Sequence, residues 1–240
     1  MNKNGIYDNI PEGYYDVVHS KKNGIQFKWH DLKFKKIYQL INDLNPTEVL
    51  DVACGPGTFI GNCSSIANFT GIDIAEKQIE YANKKYGNKN KNFVVCENAK
   101  FPFLDNSFDL ITSIEFIEHI SSEDFESNLL EMNRCLKPGG TIILTTPNYY
   151  SLWPILEILV SKITSQNYLE QHISHYNKSL LLKKLNKFNF RNANVSTYLL
   201  FAPFFAIFGN SISDLIFNIE TKLKIGFGNL LLAKIKKINL

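Results

Sequence analysis

Glu115, Glu118 and His119 stand at i, i+3 and i+4 in the run Ser113-Ile114-Glu115-Phe116-Ile117-Glu118-His119-Ile120. One helical turn would present all three on a single face. Two carboxylates beside an imidazole can do two kinds of chemistry. They can hold a hard divalent cation such as magnesium or manganese, which lowers the pKa of a coordinated hydroxyl and orients an acceptor with two adjacent oxygens. Without a metal, His119 can act as a general base near neutral pH, while Glu118 favours a helix N-terminus electrostatically. A third reading makes the group purely structural.

A second group lies upstream, in Val49-Leu50-Asp51-Val52-Ala53-Cys54-Gly55-Pro56-Gly57-Thr58-Phe59. Apolar Val49, Leu50 and Val52 read as a buried parallel strand, and Gly55 and Gly57 let the backbone turn sharply and approach a ligand closely. Asp73 ends the next apolar run, 22 residues after Asp51. A carboxylate at that strand tip can accept from both hydroxyls of a ribose. The dinucleotide fingerprint requires a third glycine, and Ile60 stands in its place.

The segment around Gly55 resembles motif I of the class I S-adenosylmethionine-dependent methyltransferases, with Ala53 at the first of the three usual small positions. Val94 to Phe103, followed by Asp105 to Asp109, resembles that family's third strand and adenine-contacting loop. Leu136 to Thr145, with Lys137-Pro138-Gly139-Gly140, resembles its turn into the fifth strand. The resemblance implies S-adenosylmethionine as cofactor. Asp51, Ala53, Cys54, Gly55 and Gly57 would surround its methionine part, Asp73 its ribose and Ile74 its adenine. Asn98 and Ala99 would follow the adenine amino edge, and Ser113 would end the fourth strand beside the cofactor. Asn98 stands where the family usually carries Asp, and its amide oxygen can still accept the same bond.

The Glu-x-x-Glu-His segment resembles two metal-using branches: the O-methyltransferases of ubiquinone biosynthesis and the small-RNA 3'-terminal 2'-O-methyltransferases. In the RNA branch a further His, five residues ahead of a helix cap, completes the metal shell. His172 stands five before Asn177 and matches that position better than His175. The metal set implied is therefore Glu115, Glu118, His119 and His172. The surrounding RNA-branch sequence is not reproduced.

The elements that must position these groups alternate. Strands are expected at 49–53, 69–73, 92–96, 108–114 and 140–145, with helices near 27–44, 57–66, 75–86 and 122–136. Such alternation specifies parallel pairing in a doubly wound α/β sheet. A helix at 177–188, a strand near 193–200, an apolar helical insertion near 203–223 and a last strand near 226–234 follow. The resemblance implies seven strands in the order 3-2-1-4-5-7-6, with the last strand antiparallel. One domain over 1–240 is expected: an N-terminal lid and helix (1–45), a cofactor core (46–148) and acceptor-side additions (149–240). Tyr14, Tyr15 and Trp29 in the lid could face the sulfonium or an aromatic acceptor.

The 240 residues carry a net charge of +3 and 45% hydrophobic content, an ordinary globular composition. Cys54, Cys63, Cys96 and Cys135 lie singly, without metal spacing, and read as reduced in a cytoplasmic protein. The polar N-terminus shows no signal-peptide core, and the apolar run Tyr198 to Phe208 is too short to span a bilayer. Residues 97–131 hold nine acidic side chains against Lys100 alone, which speaks against a nucleic-acid partner. Residues 178–240 hold ten Lys or Arg against Asp214 and Glu220. With the apolar stretch 198–220, that face is expected to pack in the core or a homodimer, or to touch a membrane periphery. The leading function is O-methylation of a hydroxyl on a small molecule, lipid-linked intermediate or glycan. The alternatives are a non-catalytic cofactor-binding partner subunit and an RNA 2'-O-methyltransferase.

Overall fold

Strands β1 (Glu48–Val52), β4 (Phe108–Ile114) and β5 (Leu136–Pro147) are buried along most of their length, as strands covered on both faces must be. Alternate residues feed two cores. Leu50, Val52, Ile142 and Leu144 enter one, and Val49, Leu110 and Ile143 enter the other. The computed structural model describes residues 11–97, 99–163, 168–188, 193–223 and 226–237. Asn98 and the first ten residues of the expected lid lie outside these described residues.

β2 (Asn68–Asp73) and β3 (Lys91–Val95) extend the sheet on one side, β7 (Leu230–Lys236) and β6 (Asn194–Tyr198) on the other. The order is β3-β2-β1-β4-β5-β7-β6. β7 runs antiparallel to both neighbours and the other pairings are parallel. This is the doubly wound seven-stranded sheet expected from the sequence.

Helices α5 (Ser122–Cys135) and α8 (Lys178–Lys187) cover the first core with Phe125, Leu129, Met132, Leu181 and Leu185. Both start on a side-chain cap. The amide of Asp124 donates to Ser121 Oγ at 3.1 Å, and that of Leu180 to Asn177 Oδ1 at 2.9 Å. The second core lies under α2 (Gly24–Leu44), α3 (Thr58–Asn62), α4 (Glu76–Tyr86) and α9 (Asn210–Leu223), which contribute Ile37, Ile41, Phe59, Ile79 and Phe217.

Several boundaries differ from expectation for local reasons. α3 stops at Asn62 because Cys63 turns extended before Ser64-Ser65, residues whose hydroxyls favour non-helical backbone. β7 begins at Leu230 rather than 226. Gly228 crosses Tyr198 so closely that a Cβ would lie 2.2 Å from the Tyr198 carbonyl oxygen, and the ladder opens only at the Leu230 and Tyr198 pair. The insertion is a 3-10 segment (Ala202–Phe208) followed by α9, with Gly209 at φ 116 between them. Glu220 of α9 pins that segment by accepting the amides of Leu200, Phe201 and Ala202 at 3.0, 2.7 and 2.9 Å.

Two helices were not foreseen, α6 (Trp153–Ile163) and α7 (Tyr168–Gln171), while α1 (Tyr14–Ser20) falls in the expected helical lid. α1 is too short for periodicity to reveal, and a tertiary anchor holds it. The buried Asp16 carboxylate accepts from Tyr81 Oη at 2.7 Å and also binds Tyr86 and Lys85, all on α4. Among the described residues, no helix is long and apolar enough to cross a membrane.

Candidate active site

Beyond the carboxyl ends of β1, β2, β4 and β5 lies a cavity of about 430 Å³, walled by Asp51, Asp73, Ile114 and Pro147 together with the N-terminal helices and the segment after β5. Open α/β sheets place ligands at this position.

The cofactor half is built from backbone. Ala53, Gly55 and Gly57 all take left-handed φ, at 61°, 53° and 71°. Gly57 has no alternative, since a Cβ there would sit 2.6 Å from the Phe93 ring. Asp73 ties this turn to the next one: Gly55 N donates to its Oδ2 at 2.8 Å and Ala75 N to its Oδ1 at 2.9 Å. Burial raises the Asp73 pKa, while those amide bonds pull it back. Asp51 accepts from Thr112 Oγ1 at 2.6 Å. Burial, reinforced by the neighbouring Asp73 charge, pushes its pKa up to about 7.

Of the residues named from sequence, Asp51, Ala53, Cys54, Gly55, Asp73 and Ile74 line the cavity. Gly57, Ala99 and Ser113 stand outside its wall. Gly57 packs beneath the turn, Ser113 is fully buried inside β4, and Ala99 holds φ 56° in the loop after β3. Gln78, Cys96, Glu97 and Phe101, which the motifs do not single out for this wall, complete this side.

The acceptor half departs from the expected helical turn. Glu115 takes φ 52° as the chain leaves β4, and only a 3-10 turn (Ile117–His119) follows. The two carboxylates therefore separate in role. Glu115 Oε2 pairs with Lys33 Nζ of α2 at 2.5 Å. Glu118 is fully buried and accepts from Thr146 Oγ1 of β5 at 2.9 Å. Burial first, and the Glu115 charge second, raise the Glu118 pKa well above the carboxylate range. Each carboxylate keeps one buried oxygen, Oε1, without a hydrogen-bond partner among the described residues.

His119 donates from Nδ1 to the Gln171 carbonyl at 3.1 Å, which leaves Nε2 with a free lone pair. Its ring meets that of His172 edge on, centroids 4.8 Å apart. Burial, with His172 adding to it, pushes the His119 pKa down to about 4. His172 Nδ1 lies 2.5 Å from Glu157 Oε1, to which Tyr149 Oη also donates at 2.7 Å. Burial outweighs the Glu157 charge, so the His172 pKa is lowered as well.

Ligand atoms of Glu118, His119 and His172 all lie within 4.8 Å of one another. Of the expected four-residue metal set, Glu115 stands outside this group, and its Oε2 pairs with Lys33. Adjoining the group is an aromatic wall, with the Trp153 ring centroid 6.2 Å from that of His172. Trp29 packs against Trp153 at 5.3 Å and Phe204 at 6.5 Å between ring centroids, and all three line the cavity. Tyr15 and Trp29 of the expected lid thus wall the cavity, whereas Tyr14 does not.

Lys33, Tyr149 and Glu157 escaped the sequence reading, though two left a trace. Lys33 falls on the same helical stripe as Ile37 and Ile41, a lysine at a core position. Glu157 is the single carboxylate in the apolar run Trp153–Ile163. A buried charge in such a run requires a partner.

A doubly wound sheet with this strand order, a glycine turn after β1 and a carboxylate ending β2 defines the class of nucleoside-cofactor methyl-transfer proteins. Comparison with known proteins makes the family specific. Residues 50–144 match the family model described as a methyltransferase domain. The chain is similar to the demethylmenaquinone methyltransferase of Staphylococcus saprophyticus, 28% identical over 214 residues, covering 80% of this chain and 89% of that protein. It is 31% identical over 143 residues to demethylmenaquinone methyltransferase of Staphylococcus aureus, covering 58% of this chain and 57% of that protein. Its fold resembles the plantazolicin methyltransferase BpumL solved with SAH, with TM-score 0.65 and 19% identity over 99% of this chain and 94% of that one. A SAM-dependent methyltransferase from Archaeoglobus fulgidus is also similar, with TM-score 0.60 and 18% identity over 85% and 94% of the two chains. Residues 50–144 carry a methyltransferase domain, and with these relatives they mark the chain as an S-adenosylmethionine-dependent methyltransferase.

Proposed function

We propose that this methyltransferase acts on an oxygen of a small, flat, quinol-like acceptor bearing an apolar, lipid-like portion. The observation that carries this reading is that one cavity is lined both by the Trp29, Trp153 and Phe204 rings and by the Glu118, His119 and His172 group, with the Trp153 and His172 ring centroids 6.2 Å apart. A ring stacked on the wall would turn its oxygen towards the polar side. The demethylmenaquinone methyltransferases among the relatives support a quinone-related acceptor.

Bound S-adenosylmethionine supplies an electrophilic methyl group in a displacement that depends chiefly on alignment. Gly55 and Asp73 would hold the cofactor's position, and the lid helices and aromatic wall would exclude water and align the acceptor. His119 Nε2, kept unprotonated by the lowered pKa of its ring and fixed by the Gln171 carbonyl, accepts the acceptor hydroxyl's hydrogen bond and takes its proton as the new O–CH3 bond makes that oxygen cationic. Its neighbour His172 is fixed by Glu157 and Tyr149.

An RNA acceptor fits less well. The cavity wall carries Asp51, Asp73, Glu97, Glu115, Glu118 and Glu170 against Lys33, which is already paired. A second reading, with a divalent cation, has its own observation in the 4.8 Å cluster. Glu118, His119 and His172 would hold the ion, with Gln171 O and Glu157 orienting the two imidazoles, and the ion would supply Lewis acidity to the acceptor oxygen. Two imidazoles in the set favour manganese over magnesium. Activity abolished by chelator and restored by manganese supports this second reading; indifference to chelator removes it.

The function itself is tested by incubating the enzyme with methyl-labelled cofactor and a demethylated naphthoquinol, a polyhydroxylated glycan or an RNA oligonucleotide. Mass spectrometry should place the label on an oxygen of the quinol. Label on a ring carbon, on the glycan, on RNA, or on no acceptor tried, contradicts the reading.

A further inference from the structure

The insertion before β7, whose Phe204 lines the cavity, leaves apolar side chains in the open. On α9, Ile212, Leu215, Ile219 and Leu223 recur at steps of three and four and are 41%, 58%, 43% and 68% exposed. The helix's other stripe, through Ser213, Phe217 and Glu220, is buried. Phe208 at the end of the 3-10 segment and Ile155 on α6 are 65% and 62% exposed. These outward residues neighbour the cavity wall in sequence. Phe204 stands four residues before Phe208 and Trp153 two before Ile155, and both pack on Trp29 inside the cavity.

The carboxylates on the segments of this face are withdrawn or paired. The carboxylates of α6, the 3-10 segment and α9 are Glu157, Asp214 and Glu220. Glu157 and Glu220 are buried. Asp214 is neutralised by Lys28 and Lys35, each at 2.8 Å. Lys222 is exposed on α9 itself, and exposed Lys21 and Lys22 stand at its start, where Asn210 Nδ2 donates to the Lys22 carbonyl at 2.9 Å. An apolar stripe edged by lysines, with every carboxylate of its segments withdrawn, is complementary to a surface of phosphates over hydrocarbon. A second copy of this chain fits it less well. A symmetric contact through α9 would face these lysines with a patch equally short of available carboxylates.

We propose that α9, with the 3-10 segment and the outer side of α6, docks on an anionic lipid bilayer. The apolar side chains enter the acyl boundary and Lys21, Lys22 and Lys222 meet headgroup phosphates. The aromatic wall then lies next to the lipid, so an acceptor carrying a hydrocarbon chain can reach Trp29, Trp153 and Phe204 without crossing water. The docking surface goes beyond the acceptor reading and stands whichever oxygen or carbon receives the methyl group.

The test is flotation of the full-length protein with vesicles of phosphatidylcholine alone, or of phosphatidylcholine with phosphatidylglycerol, neither containing a methyl acceptor. Wild type is expected to float with the phosphatidylglycerol vesicles and at least tenfold less with the neutral ones. Phe208→Asp combined with Leu215→Asp should cut the bound fraction at least tenfold while S-adenosylhomocysteine binding persists, showing an intact fold. Lys21→Glu combined with Lys222→Glu, at exposed positions away from the core, should cause a similar loss through charge alone. Wild type that floats with neither vesicle, or that is a dimer which the Asp pair converts to a monomer, overturns the proposal. Because no acceptor is present, failure here is distinguishable from failure of the quinol reading.

Discussion

The two halves of the cavity are built from different materials. The cofactor half consists of turns whose amides and small residues follow one another along β1, β2 and the loops after them, fastened by Asp73 to Gly55 and Ala75. The acceptor half consists of side chains brought together from distant parts of the chain. Lys33 meets Glu115 across 82 residues, and Thr146 meets Glu118 across 28. A backbone cradle suits a ligand that never changes. A side-chain assembly can be altered one residue at a time, so specificity belongs there.

Mutations can break this division, and the largest effect is expected at Asp73. Asp73→Ala removes an acceptor for two amides and for the ribose hydroxyls, and should weaken S-adenosylmethionine about 100-fold or more, roughly 3 kcal/mol at 1.5–3 kcal/mol per charged hydrogen bond. Titration calorimetry measures it. Next comes Gly57→Val, whose side chain would meet Phe93 at 2.6 Å from a left-handed φ. About 3 kcal/mol of stability should be lost in a urea titration, against about 1 kcal/mol for Gly55→Ala, where a Cβ meets nothing within 4 Å. In the acceptor half, Glu157→Gln should lower kcat about tenfold by loosening His172, with cofactor affinity unchanged. An equal loss of cofactor affinity would show that the halves are not separable.

A further expected effect is a pH slope. Asp51 has a folded pKa of about 7 against an ordinary 3.8, so between those values the folded state holds the extra proton. Its contribution to stability is therefore present at low pH and declines as pH rises from about 4 to about 7. Asp51→Asn should remove that slope and melt a few degrees higher than wild type at pH 8, while binding cofactor more weakly. Thermal melts at pH 5.5 and pH 8 distinguish this from a uniform packing change.

The same division governs what could be read from the residues. β1, β2, β4 and β5 were legible because buried parallel strands are continuous apolar runs, and the Gly55 turn because only small residues make it. The cap at Asn177 was legible, and it does accept the Leu180 amide, whereas His172 was named through the resemblance alone and stands in the cavity wall. The geometry of Glu115, Glu118 and His119 was not. The spacing suits a helix, yet the left-handed Glu115 and the pull of Lys33 make a shorter turn that aims the two carboxylates at different partners. α1 and the Tyr149, Glu157 and His172 chain rest on tertiary contacts, which local pattern does not encode.

The most direct measurement is calorimetric titration of S-adenosylmethionine into wild type, Asp73→Ala and His172→Ala, with folding of each verified by circular dichroism. Saturable one-to-one binding to wild type, loss of about 100-fold in Asp73→Ala and near-wild-type affinity in His172→Ala is the expected pattern. No binding to folded wild type, or equal affinity in wild type and Asp73→Ala, would contradict a cofactor cradle built around Gly55 and Asp73.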